Sequence, residues 1–251
     1  DFGMFASRLK KIVKLKKQEA EYLGFTDSPY DALLNDYEPG VTSREIIEIF
    51  NHLKEFLIPF VAKIGNSNVK PQKHILEQVC PTLQQAEFSR MVAAKLGYDW
   101  EAGRMDVSAH PFSQSMHPTD TRITTRYQEN DFFNQSFFST IHEVGHALYE
   151  QGFKPEYFGT PMGESVSFGI HESQSRTWEN LVARSMHFWI YFFPRLQIEF
   201  PKQFGTIFFE DFYQAINVVK PSLIRVDADE VTYNLHVIMR FEIEKALIEG
   251  T

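Results

Sequence analysis

Thr140–Gly152 reads TIHEVGHALYEQG, a His-Glu-x-x-His pattern inside a segment of helical spacing. Two histidines four residues apart on an α-helix stand about 40° apart around its axis and one turn along it, so both rings can reach one ion. His142 and His146 therefore point the same way. Glu143 sits beside them, close enough to touch a water on a metal without taking a metal position, which makes it the expected general base. Phe133, Phe137, Phe138, Ile141, Val144 and Leu148 surround the motif, so the helix belongs to a core rather than to a solvated face. Asp131 is placed to cap this helix and Gly152 to stop it. Gly145 lies between the histidines although glycine costs about 1 kcal/mol inside a helix, which predicts close approach by another segment.

A catalytic zinc typically takes three protein ligands and keeps a fourth position for water, and a glutamate from a following helix commonly completes the set. Thr160-Pro161 predicts the start of such a helix, continuing to Pro194. It carries four competitors for the third position: Glu164, His171, Glu172 and Glu179. Glu172 and Glu179, seven apart, share a face, whereas Glu164 lies about 80° from Glu172. Spacing leaves the choice open.

Upstream, residues 5–23 have helical spacing and stop at Gly24, and 26–40 read as a loop holding one or two helical turns. Thr42 and Glu45 make a capping box for a second long helix that contains Pro59, a residue expected to kink or shorten it. A further helix spans 81–96 and ends at Gly97. Residues 105–127 carry two short alternating runs, MDVSAHPF and TDTRITTRYQ, separated by the polar SQSMHP. They predict a small antiparallel β hairpin or sheet, and the pattern leaves two placements open: one wall of the cleft that the metal faces, or a sheet that merely closes the fold. Downstream, 201–220 reads as one helix, with Phe208, Phe209, Phe212, Ile216 and Val219 on its apolar side. A short extended piece then leads into a last helix capped by Asp227 or Asp229. The expected fold class is mainly α, a multi-helix zincin-like metallopeptidase. The division is one partial catalytic domain over 1–251: N-terminal helices at 1–104, the β element at 105–128 and the metal-binding helical core at 129–251.

With 251 residues, 43% apolar and 23% charged, the chain can bury a large core. The formal charge of -8 argues against a nucleic-acid partner, and the lysines at 10, 11, 14, 16 and 17 interleave with Leu9, Ile12 and Val13 as the wet face of an amphipathic helix. Cys80 stands alone, so no intrachain disulfide can form. No apolar run is long enough to span a membrane, and the expected location is the cytoplasm.

Five motifs in order resemble those of the carboxypeptidase Taq family of zinc metallocarboxypeptidases. They are HPF at His110–Phe112, DxRxT at Asp120, Arg122 and Thr124, HExxH at His142–His146, HESQ at His171–Gln174 and IRxxAD at Ile224–Asp229. The resemblance covers essentially the whole chain. It implies one zinc ion, replaceable by another divalent metal such as cobalt, held by His142, His146 and Glu172, with Glu143 as catalytic base. It also implies peptide substrates with a free C-terminus, and a homodimer. Family members continue past the last helix into a GxxQDxHW motif, and this sequence begins without methionine, so the expectation is a fragment of a longer protein. An exopeptidase needs a group to grip the terminal carboxylate, and arginine does so bidentately. Arg225 is the first choice and Arg122 the second; either could instead pair structurally with Asp120, Asp227 or Asp229. Tyr233, His236 and His110 are candidate donors to a developing oxyanion, and His171 is a candidate orienting partner for a ligand. The alternative readings are a zinc endopeptidase or oligopeptidase, and a catalytically incomplete fragment that only binds metal.

Overall fold

The computed structural model describes residues 2–251, apart from the side chain of Asp227. In chain order the elements are α1 Phe2–Leu23, α2 Pro29–Leu34, α3 Ser43–Gly65, α4 Thr82–Leu96, β1 Met105–Val107, β2 Ser113–His117 and β3 Asp120–Thr125. There follow α5 Phe138–Gln151, α6 Phe168–Arg176, α7 Met186–Glu199, α8 Pro201–Phe204, α9 Phe209–Ile216 and α10 Glu230–Glu249. The mainly helical class is as expected. Among the described residues, no helix is long and apolar enough to cross a membrane.

The elements form two compact units, one of residues up to Asn68 with Val219–Thr251 and one of Val69–Val218. These boundaries differ from the sequence division at 104 and 128. The last helix packs with the first three, a long-range pairing that no local pattern carries.

In the first unit, α1 ends at Gly24, whose φ of 80° suits glycine. The capping box forms: Thr42 Oγ1 accepts from the Glu45 backbone N–H, and Glu45 returns the bond to the Thr42 backbone. Pro59 lies inside α3 without ending it. Asp229 caps α10 by accepting from the N–H groups of Val231 and Thr232; the other cap proposed, Asp227, lies outside the described side chains. Phe241 meets the rings of Tyr30 and Phe50 edge-on, at 5.4 and 5.3 Å.

The unit of Val69–Val218 is built on an aromatic core that includes Phe88, Phe132, Phe133, Phe137, Trp189 and Phe212. Its sheet has the order β1-β3-β2, with β1 parallel and β2 antiparallel to β3. A purely antiparallel hairpin is therefore corrected to a mixed sheet. The polar SQSMH, read as a separator, is itself the edge strand β2, whose alternating partial exposure favours polar side chains.

Two long helices read from the sequence are also corrected. The stretch from Pro161 to Pro194 divides into a 3₁₀ turn at Pro161–Gly163, then α6, a π-helical turn at Thr177–Val182, and α7. Ser167 and Ser185 start α6 and α7 by accepting from the N–H groups of Ile170 and Phe188, and Pro194 sits within α7. The stretch at 201–220 divides into α8 and α9. There Phe208 adopts an extended ψ of 145° and exposes its side chain, while Phe212 and Ile216 are buried.

Candidate metal centre

The motif helix α5 is fixed on both sides within its unit. The hydroxyls of Thr140 and Thr125 pair at 2.8 Å and tie it to the central strand β3. Phe138, Ile141, Val144 and Ala147 are buried along it. At Gly145, a Cβ would lie 2.6 Å from Ser175 Cα and 2.9 Å from the Gln174 carbonyl oxygen. The glycine thus admits the backbone of α6, the close approach its position predicted, and that approach carries Glu172 across to the histidines.

Glu172 Oε2 lies 3.5 Å from His142 Nε2 and 3.3 Å from His146 Nε2. The three residues offer ligand atoms all within 4.8 Å of one another. Two ligands each about 2.0–2.1 Å from a tetrahedral zinc stand about 3.3 Å apart, so these two separations and the N, N, O donor set fit such an ion.

Each histidine uses its other nitrogen behind the group. His142 Nδ1 meets Glu179 Oε2 at 2.8 Å, and His146 Nδ1 meets His171 Nδ1 at 2.6 Å. His171 Nε2 in turn meets Glu150 Oε1 at 2.8 Å. Two of the competitors for the third position, Glu179 and His171, are thereby placed as partners of the histidines. Glu164 lines a neighbouring cavity of about 320 Å³ that shares Glu150 and Ser165 with the one at the histidines. Sequence reasoning missed Glu150 and Arg176. Glu150 carried a faint signal, one turn beyond His146 on the same helix.

Burial works against charge on His142, but the Glu172 and Glu179 carboxylates beside it prevail and raise its pKa to about 9. Burial lowers the pKa of His146. Glu172 is held well below the usual carboxylate range, because the two histidines and Arg176 outweigh its burial. Glu143 goes the other way. Burial pushes it up to about 7, with His142 opposing and the Glu172 charge adding, so two carboxyls of one site are driven apart as acid–base chemistry near neutrality requires.

Glu143, His146, His171 and Glu172 line a cavity of about 500 Å³, and Pro111, Phe112 and Ser113 form part of its wall. The β element therefore borders the cleft, one of the two placements its sequence left open. His110 lies next to that wall, with its Nδ1 2.7 Å from the Pro111 carbonyl. Arg122 is engaged by Asp120 through two bonds of 2.8 Å, the structural pairing weighed for it. Arg225 donates to the Tyr233 hydroxyl at 2.6 Å; both belong to the other unit.

Comparison with known proteins follows the same line. The family model described as carboxypeptidase Taq (M32) metallopeptidase matches residues 1–251. The chain is 50% identical over 259 residues to thermostable carboxypeptidase 1 of Thermus thermophilus, and 44% identical over 250 residues to carboxypeptidase 1 of Bacillus subtilis. Each alignment takes in 100% of this chain and 50% of the relative. The chain thus spans about half the length of the curated relatives it matches. Among solved structures, the M32 carboxypeptidase from Deinococcus radiodurans superposes with a TM-score of 0.95 at 42% identity, over 100% of this chain and 50% of that one. The carboxypeptidase of Pyrococcus furiosus gives 0.94 at 40%, over 99% and 50%.

Proposed function

The chain belongs to the carboxypeptidase Taq (M32) metallopeptidase family, and from that premise we propose that it carries the zinc centre of a metallocarboxypeptidase. In this reading His142, His146 and Glu172 hold the zinc, and the protein releases amino acids from the free C-terminus of peptides. The observation that carries the reading is the approach of Glu172 Oε2 to Nε2 of both motif histidines, with buried Glu143 beside them in the same cavity.

When bound, zinc supplies Lewis acidity, acidifying a water and polarising a peptide carbonyl. Glu143 does the proton work. Its carboxylate takes a proton from the attacking water and returns it to the leaving amine, a shuttle suited to a group whose pKa lies near 7. His171 and Glu179 orient the two histidine rings by holding their outer nitrogens. Arg225, bonded to Tyr233, and Arg122, bonded to Asp120, are the two candidates for gripping the terminal carboxylate. His110 is kept as a donor beside the cavity wall.

The reading also includes a cytoplasmic homodimer with no nucleic-acid partner. A single cysteine and the charge of -8 support the location and the missing partner, and analytical ultracentrifugation tests the dimer. The deciding experiment compares amino-acid release from a peptide with a free C-terminus and from its amidated twin, alongside metal analysis. We expect about one zinc per chain, lost in His146→Ala. Cleavage of the free peptide alone should fall by about 10²-fold or more in Glu143→Gln. Equal cleavage of the amidated peptide would turn the assignment to an endopeptidase.

A further inference from the structure

Behind His142, His146 and Glu172 lies a cation that belongs to neither histidine. Arg176 Nε donates to Glu172 Oε1 at 3.0 Å, and its Nη1 donates to Glu179 Oε2 at 3.0 Å. The same Glu179 oxygen stands 2.8 Å from His142 Nδ1. One guanidinium therefore joins the carboxylate facing the metal position to the carboxylate that orients a histidine. Helix geometry makes this possible: Glu172 is one turn before Arg176, and Glu179 follows three residues later in the π-helical turn.

The division of labour within Glu172 is the telling feature. Its Oε2 faces His142 and His146 and also accepts from the Ser175 hydroxyl at 3.0 Å, while its Oε1 is taken by Arg176. A carboxylate can bind a metal through one oxygen or two. Two-oxygen binding would consume the position that a catalytic site keeps open for water.

We propose that Arg176 is a positioning residue that restricts Glu172 to a single metal-binding oxygen, Oε2, and locks that choice to the orientation of His142 through Glu179. The inference rests on the metal centre proposed above. Lysine cannot replace this arginine, since one ammonium on a flexible stem lacks the planar fork that spans both carboxylates.

The test uses cobalt(II) as the probe, read by visible absorption and by affinity in competition with a chelator. The unmodified protein should bind cobalt with the intense bands of a four-coordinate site, lost in His146→Ala. Arg176→Ala should weaken those bands toward a higher-coordinate spectrum and lower cobalt affinity by about 10–100-fold. Arg176→Lys should recover part of the affinity but not the spectrum. A merely structural arginine would lower the melting temperature of the metal-free protein and leave the spectrum alone. A folded Arg176→Ala protein with the original spectrum and affinity overturns the proposal. If that variant does not fold, an unchanged spectrum in Arg176→Lys overturns it instead. Failure of the unmodified protein to bind cobalt would remove the metal centre itself, a result separate from either.

Discussion

The two units bury their apolar side chains differently. Within Val69–Val218 the fully buried Phe133 meets the rings of Phe132, Phe137, Phe138, Trp189, Phe204 and Phe212. The unit containing α1, α3 and α10 buries fewer large groups, such as Leu57, Ile238 and Phe241, and leaves Phe2, Met4, Phe5, Ile49 and Phe56 exposed. Helix caps and ion pairs such as Lys54–Glu242, at 2.5 Å, tie its segments together. A metal site needs side chains held to fractions of an ångström, and the donors that meet this need stand where packing surrounds them. The contrast predicts a gradient of sensitivity to substitution.

The steepest point on that gradient should be Phe133. Phe133→Ala removes the ring at the centre of the aromatic cluster and should cost about 3–5 kcal/mol, measured as the shift in urea midpoint. Phe241→Ala, with two ring partners, should fall at or below the lower end of that range. Equal losses would erase the distinction between the units.

Gly145→Ala probes the same packing from the backbone side. Alanine gains about 1 kcal/mol of helix propensity, but its Cβ meets the backbone of Ser175 at 2.6 Å, and overpacking of this kind typically costs about 1–3 kcal/mol. The backbone cannot swing aside as a flexible side chain would, so we expect net destabilisation and weaker metal binding as α6 is pushed from α5. A stabilised variant with unchanged metal affinity would show that the contact yields.

In the less densely packed unit the expected effects are smaller. Asp229→Ala removes the cap that serves two N–H groups at the start of α10, for a loss of about 1 kcal/mol seen as a lower thermal midpoint. A loss as large as that of Phe133→Ala would mean that α10 carries far more of the unit than its burial indicates.

What could be read in advance followed from local rules. The capping box at Thr42, the stops at Gly24 and Gly97, the paired histidines and the demand of Gly145 for a close neighbour each depend on a few adjacent residues. Glu172 could not be singled out by spacing, because Glu172 and Glu179 both reach His142, from opposite nitrogens of one ring. Only the tertiary path of α6 tells the inner carboxylate from the outer one. The breaks at Ser167 and Ser185 were hidden by the apolar residues that run past them, and the edge strand β2 was hidden by its polarity. Glu150 acts only through His171, which folding brings to it, whereas Arg176 has Glu172 and Glu179 within one helical turn and gains its place at the site only because folding sets those two carboxylates against His142.

The smallest predicted effect turns on Glu249 at the end of α10. Its carboxylate accepts from Lys245 Nζ at 2.6 Å and from the Ser28 hydroxyl at 2.8 Å, and these bonds lower its pKa from 4.5. A carboxyl depressed by folding adds stability that is present above its unfolded-state pKa and is lost as pH falls through the folded value. Because the group is partly exposed, solvent screening holds the contribution to about 1 kcal/mol or less. Glu249→Gln should therefore lower the thermal midpoint slightly at pH 7, and the gap from the unmodified protein should close as the medium is acidified below pH 4.5. Ser28→Ala should reproduce part of that loss, since Ser28 both donates to Glu249 and caps α2. The capping part should persist in acid while the carboxylate part disappears. A Glu249→Gln gap that widens in acid would mean that repulsion, not these two bonds, governs the end of α10.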